Sequence, residues 1–280
     1  MVPSRFAPHV GGIETVVSEL AHELQRRGDE VLVITHREPV TLPAEETVGS
    51  VRVKRVRFEA PSRSVAATRG FLQSLPAVTR SLSEEARPDI IHVHGAANQV
   101  LPITRYAGSR QIPLVITTHG EITGDTHDIY RRSRYMRASL RYGVRRCAAV
   151  TAPSQGTLED LRRLVRNADS LGHVVPNGVR VSEWESGLPT PETKVVLAWG
   201  RLEKQKGFDR LLAAWPLVQD RIPEASLCIA GDGEERLALQ SMLTPGASLL
   251  GPLSRRQLAA RLRGVQIAAV PSRVEAFGMS

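Results

Sequence analysis

The sequence predicts an α/β protein made of two doubly wound parallel sheets. Three observations predict it. Short apolar runs alternate with amphipathic stretches from Gly11 to Val175, a polar linker carrying Pro189 and Pro191 interrupts them, and the same alternation restarts at Lys194. A chain of 280 residues is long enough for two domains of ordinary size, and the linker places their boundary near residue 190, giving 1–190 and 191–280.

The elements follow in order. Met1 to Val10 contains Pro3 and Pro8 and reads as a loop. Ile13, Val16, Val17, Leu20 and Leu24 recur at helical spacing until Gly28 stops the helix. Residues 30–35 (EVLVIT) form a short buried strand, 41–50 a polar loop, and 51–58 alternate as an edge strand. Residues 63–86 are mostly helical with an interruption near Pro76, and DIIHV (89–93) and PLVITT (113–118) are two more strands. Ile129 to Cys147 reads as one helix, with Met136, Leu140 and Val144 as its apolar stripe and Arg134, Arg137, Arg141 and Arg145 beside it. A strand at 148–151, a helix at 155–165 and a strand at 173–175 complete the first half. The second half gives strands at 194–199, 225–230, 247–250 and 266–270, with helices at 207–220, 233–243 and 254–263 between them.

Composition limits the function. With 41% hydrophobic and 24% charged residues the chain is neither disordered nor fibrous. No apolar run reaches the roughly 20 residues that span a bilayer, and the N-terminus lacks the basic-then-apolar pattern of a secretory signal. Cys147 and Cys228 are far apart and have no metal-ligand spacing, which fits a reduced cytoplasmic setting without a metal. The net charge of +8 attracts anions, but no motif or aromatic platform accompanies the basic residues, so nucleic acid is not expected as a partner.

Ligands of open parallel sheets bind beyond the carboxyl ends of the strands, and with two domains the cleft between them is the expected site. Gly11-Gly12 open the first helix and leave its N–H groups bare. His92 and His94 end one strand, where alternation puts both rings on one face, and His119-Gly120-Glu121 end another. In the second half, a strand runs into Gly200-Arg201, and a loop with Lys204 and Lys206 leads to Gly207 at a helix start. That arrangement suits a diphosphate, or else is a solvated loop with ordinary surface cations. The Gly231-Asp232-Gly233 turn is not a dinucleotide fingerprint, since Arg236 stands where the third glycine belongs, which disfavours a dehydrogenase.

The order of the motifs is specific. PHVGGIE, HVHG, TTHGE, PSQGTLEDL, VVPNGV, GRLEKQKGFDRLL, IAGDGEER, LLGPLSRRQL and PSRVEAFG together resemble the retaining glycosyltransferases of family 4 (glycosyl transferases group 1), over essentially the whole chain. The resemblance implies a GT-B fold of two Rossmann-like domains facing across a cleft, an acceptor-side 1–190 and a nucleotide-sugar-binding 191–280. It implies a hexosyltransferase that uses a UDP- or GDP-sugar as donor substrate, needs no cofactor or metal, and acts on a glycan, lipid or small-molecule acceptor.

By matching motifs, Arg201 and Lys206 would clamp the donor diphosphate, and Gly11 and Gly12 would bring backbone N–H groups to it. His119 would face the transferred sugar, Glu275 would bind its hydroxyls, and Phe277 and Gly278 would offer backbone amides beside it. Gly231 and Glu234 would lie near base and ribose, and Lys204 would remain at the surface. Retention in the family is read as front-face attack, so no covalent nucleophile is nominated.

Two departures from the family pattern stand out. A buried strand normally precedes the Gly-Gly loop, and here only MVPSRFAP does. The second glutamate of the E-x7-E motif would fall at position 283, past Ser280, so the second domain is expected to be incomplete and the chain weakly active or inactive as written. The competing expectation is a truncated, non-catalytic nucleotide-sugar- or glycan-binding protein. The arginine-rich stretch 129–147 admits three readings: a peripheral contact with anionic lipid at the inner face of the cell membrane, a steering surface for a phosphorylated acceptor, or a solvated basic face.

Overall fold

In a computed structural model, the structure describes residues 1–9, 11–61, 69, 71, 75–76, 78–80, 82–84, 87–123, 129–165, 172–184 and 194–278. The chain divides into two compact units, Met1–Gly178 and Val179–Gly278. The expected boundary residue 190 lies outside the described residues, as do Val10 and most of 63–86. The described residues between 69 and 83 are helical, Pro76 included, and bury Phe71, Val78 and Leu82.

The first unit holds a five-stranded parallel sheet in the order β1 (Val2–Pro3), β5 (Ile91–His94), β6 (Leu114–Thr117), β7 (Ala149–Ala152), β8 (Gly172–Val174). Beside it runs a three-stranded sheet, β2 (Leu32–His36), β4 (Val51–Val56), β3 (Glu45–Val48). The amino group of Met1 donates to Leu32 O at 2.7 Å and Ile34 N–H donates to Met1 O at 2.9 Å, which joins the two sheets edge to edge. Three expectations are corrected here. Met1 to Val10 is not all loop: Val2–Pro3 pairs in parallel with Val93 and His94, so a short strand does precede the Gly-Gly loop. Two residues are too few for periodicity to reveal. Residues 41–50 are not all loop either, since Glu45–Val48 forms antiparallel β3. Strand β4 is internal rather than an edge. Its Lys54 and Arg55 are buried because Glu45 and Glu46 of β3 pair with them.

Helix α1 (Gly12–Arg26) follows the first loop and buries Val17 and Ala21. Helix α2 (Val100–Arg110) leads into β6. The stretch 129–147 is not one helix: α3 (Ile129–Arg132) ends where the Ser133 hydroxyl caps α4 (Arg134–Val144) by accepting from Met136 N–H at 3.2 Å. The apolar stripe is as expected, with Met136, Leu140 and Val144 all buried. The basic stripe is partly committed to backbone carbonyls. Arg137 donates to Tyr130 O and Arg131 O at 2.6 Å, and Arg141 donates to Leu164 O, the last residue of α5 (Gln155–Leu164), at 3.0 Å. Among the described residues no helix is long and apolar enough to cross a membrane.

The second unit holds a four-stranded parallel sheet in the order β11 (Ala247–Gly251), β10 (Ser226–Ala230), β9 (Val195–Trp199), β12 (Ile267–Ala268). Helices α6 (Phe208–Gln219), α7 (Arg236–Ser241) and α8 (Arg255–Leu262) connect the strands. Phe208, Leu212 and Trp215 of α6 pack on Leu227 and Ile229 of β10 to make the core. The chain steps outward from β9 to β10 to β11, then returns to the other side of β9 as β12. That reversal opens a crevice at the carboxyl ends of β9 and β12, which is where doubly wound sheets bind their ligands.

Candidate functional site

The loop leaving β9 and the loop leaving β12 meet at this crevice. Gly207 makes their close approach possible: its φ is +69°, and a Cβ there would lie 2.2 Å from Pro271 O. Arg273 N–H donates to Gln205 O at 2.8 Å, and the Arg273 guanidinium grips the Asp209 carboxylate in a two-pronged pair at 2.8 and 2.5 Å while also bonding Lys204 O. Arg273 thereby holds Asp209 below the usual carboxylate range. With the two loops locked, the Lys206 ammonium donates to Glu275 Oε2 at 2.8 Å. Burial alone would raise the Glu275 carboxyl, but the Lys206 bond, with help from Ser272 and the Gly278 N–H, outweighs it and holds the group ionised below its ordinary value.

Arg201 lies on the same loop, exposed, with its guanidinium on Glu203 at 2.7 Å. Lys204 is exposed. Thus Lys206 and Glu275 are brought together, whereas Arg201 is held by a different carboxylate. Gly231 follows β10 with φ +146°, and a Cβ there would lie 1.9 Å from Gly200 O. Its glycine character is therefore set by loop-on-loop packing. Glu234 is exposed beyond it, and Phe277 is 39% exposed beside Gly278.

In the first unit the chain goes from β1 to β2 on one side and to β5 on the other, which places a second crevice at the carboxyl ends of β1 and β5. Gly11 and Gly12 open α1 there, and no side chain caps the helix. A Cβ on Gly11 would first meet the Glu14 carboxylate at 2.5 Å, the end of a flexible side chain.

Next to this end stand the histidines. His92 and His94 present their rings to one face, as alternation requires, with centroids 3.9 Å apart. His92 Nε2 bonds the Thr117 hydroxyl at 2.6 Å, and Thr117 bonds the Thr151 hydroxyl at 2.5 Å. His94 Nδ1 lies 3.3 Å from His119 Nε2. Burial pushes His92 and His119 down to about 4, the N-terminal amino group and His119 adding to the effect at His92, and burial pushes His94 well down too. All three rings are neutral at pH 7. The Glu121 carboxylate fixes their frame by accepting from Ala96 N–H and His119 N–H, both at 2.6 Å. Among the described residues, no group of three His, Cys, Asp or Glu side chains is arranged to hold a metal ion.

Reading the sequence did not assign Asp209, Arg273, Glu121 or Glu203. Each lies within a quoted motif, but the partners of the first three are 25 to 64 residues away or on backbone N–H groups.

Residues 10–183 match the family described as Glycosyltransferase Family 4, and residues 182–280 match Glycosyl transferases group 1. The chain is 25% identical to the GDP-mannose:cellobiosyl-diphosphopolyprenol alpha-mannosyltransferase of Xanthomonas oryzae pv. oryzae, over all of this chain and 73% of that protein. It is equally similar, at 25% over all of this chain and 73% of the relative, to a glycogen synthase of Mycobacterium tuberculosis. The solved sucrose-phosphate synthase of Thermosynechococcus elongatus shares the fold at a TM-score of 0.71, with 18% identity over 96% of this chain and 72% of that one. The parallel Rossmann-like sheets are those of the GT-B fold class, and the chain belongs to glycosyltransferase family 4.

Proposed function

We propose that the chain transfers a hexosyl group from a UDP- or GDP-linked sugar to a glycan, lipid or small-molecule acceptor, with retention of anomeric configuration and without a metal. The observation that carries this reading is the Lys206–Glu275 pair at the β9/β12 crevice, in a chain of this family. A departing nucleoside diphosphate gains negative charge, and cations already fixed in place stabilise that charge more in the transition state than in the ground state. Lys206 supplies a point charge and Arg201 a planar fork for this purpose. Both are balanced by carboxylates without ligand, so the donor exchanges a phosphate oxygen for Glu203 at Arg201 and shares Lys206 with Glu275. Glu275, kept ionised, accepts hydrogen bonds from sugar hydroxyls, and Phe277 and Gly278 offer backbone N–H groups. Gly231 and Glu234 flank the base and ribose. In 1–190, the acceptor-side domain, Gly11 and Gly12 bring helix N–H groups to the diphosphate, and neutral His119 meets the sugar as its ring gains oxocarbenium character.

The names of relatives differ: one gives GDP-mannose and a cellobiosyl-diphosphopolyprenol, and another gives glycogen with no donor named. This supports a nucleotide-sugar donor and a glycosylated acceptor. Incubation with a panel of UDP- and GDP-sugars and acceptors of these kinds, followed by NMR of the product anomer, tests the reading. A product of retained configuration, even at a low rate, is expected; an inverted product overturns it, and no transfer from any donor decides for the competing reading of a non-catalytic nucleotide-sugar- or glycan-binding protein.

A further inference from the structure

We propose that His94 is a positioning residue that fixes the tautomer of His119, so that His119 carries its proton on Nδ1 as a hydrogen-bond donor. The purpose of that donor, meeting an oxygen of the transferred sugar, rests on the reading of His119 given above; the tautomer itself does not.

The argument begins with an orphan atom. His94 is 1% exposed, and its Nε2 is buried with no hydrogen-bond partner among the described residues. Its other nitrogen, Nδ1, lies 3.3 Å from His119 Nε2. A hydrogen bond between two ring nitrogens carries one proton, and a neutral imidazole has one N–H in all. Two arrangements follow. If His119 Nε2–H donates to His94 Nδ1, the proton of His94 sits on Nε2 and is a buried donor with no acceptor. If His94 Nδ1–H donates to His119 Nε2, the orphan Nε2 holds only a lone pair.

Orphaned buried N–H groups are rarer than under-satisfied acceptors, so the second arrangement is favoured. It leaves His119 with its proton on Nδ1; among the described residues, the other hydrogen bond at His119 runs from its backbone N–H to Glu121. Close stacking of His92 on His94, at 3.9 Å, disfavours a third arrangement in which one ring carries an extra proton, and the depressed basicity of all three rings agrees. The Thr151–Thr117–His92 chain and the Glu121 clamp hold the stack in register.

Long-range 15N–1H correlation NMR of imidazole nitrogens tests this on the intact chain at pH 7.5 without any ligand, His119→Asn being used only to assign the signals. The expected pattern is Nδ1–H at His119 and Nδ1–H at His94; Nε2–H at His119 overturns the inference. His94→Phe keeps an aromatic ring in the stack and removes the bond. It is expected to erase the Nδ1–H preference at His119 and to lower kcat roughly tenfold while donor KM moves less than twofold, since a mis-set donor acts on the transition state. An unchanged His119 tautomer in a folded His94→Phe chain would also overturn the inference. If the variant does not fold, the tautomer of the unaltered chain still decides. Nδ1–H at His119 in a chain that transfers no sugar would overturn the proposed function alone.

Discussion

The carboxyl edges of the two sheets hold their side chains by opposite means. In the first unit, the edge is made of neutral rings and hydroxyls, buried at His94 and Thr117 and half-buried at His92, His119 and Thr151, with bonds joining neighbouring strands or the loop that follows β6. In the second, it is made of ion pairs open to solvent on one side, Arg201 exposed with Glu203, and Lys206 with Glu275 and Arg273 with Asp209 partly buried. A neutral buried cluster is preset and costs nothing to reorganise at the moment of use. A surface ion pair in water is worth little, about 0–1 kcal/mol, so an incoming anion displaces it cheaply. The difference teaches that fixed orientation belongs to one sheet edge and exchangeable charge to the other.

The sharpest break of this comparison is Lys206→Ala. If the second edge supplies exchangeable charge, transfer should fall by about 10²–10³ in kcat/KM, the cost of a lost transition-state contact. Stability should barely move. A less than threefold loss with donors at low salt would contradict the assignment.

The next largest effect is structural. Gly207→Ala places a Cβ against Pro271 O at a positive φ. A cost on the order of 3 kcal/mol is expected, combining ~1–2 for the left-handed backbone and ~1–3 for overpacking. All three tryptophans, Trp184, Trp199 and Trp215, lie in the second unit, so their fluorescence in a denaturant titration reads that unit directly. An unchanged midpoint would show that the two loops do not pack as described.

Acid separates the two edges. His92 and His119 titrate near 4 when folded against 6.5 in the unfolded chain, so the unfolded state binds more protons as pH falls between those values. Their contribution is complete above pH 6.5 and is lost on acidification toward 4, about 2 kcal/mol for each ring at pH 5 from 1.4 kcal/mol per pKa unit. Asp209 and Glu275 are shifted below 3.8 and 4.5, so their contribution is lost only below those values. Hydrogen exchange, corrected for intrinsic rate, should therefore show β5 and β6 loosening between pH 6.5 and 5 while β9 and β10 hold. Equal loosening of both would remove the distinction.

The smallest effect concerns Asp209→Asn. It loses the charge of a two-pronged pair whose side chains are 25% and 30% exposed, and a loss of about 1 kcal/mol in the second unit is expected by the same fluorescence titration. A loss above 3 kcal/mol would mean that this edge is as rigid as the first.

Much of this was legible in the sequence. Strand–helix alternation placed the strands of the five- and four-stranded sheets apart from Val2–Pro3, and the paired rings of His92 and His94 followed from period two alone. The elements that escaped did so for physical reasons. Val2–Pro3 is too short for any period, and β4, whose alternation reads as an edge strand, is internal because its neighbour Glu45–Val48 lies in a stretch that reads as polar loop. Ser133 breaks the basic stretch by capping, which competes weakly against an otherwise helical pattern. In the candidate site, the motifs pointed to Lys206, Glu275 and His119 but not to what each touches. Arg273 and Asp209 are 64 residues apart, and tertiary pairing at that separation leaves no local signature.

The most direct test of the central claim, that the second edge holds cations ready to exchange a carboxylate for a diphosphate, is calorimetric titration of UDP and GDP into the intact chain, Lys206→Ala and Glu275→Gln. One nucleoside diphosphate should bind, at least roughly tenfold more weakly to Lys206→Ala and no more weakly to Glu275→Gln, whose lysine has lost its charged partner. Absence of binding by both nucleotides, or an affinity indifferent to Lys206, would contradict it.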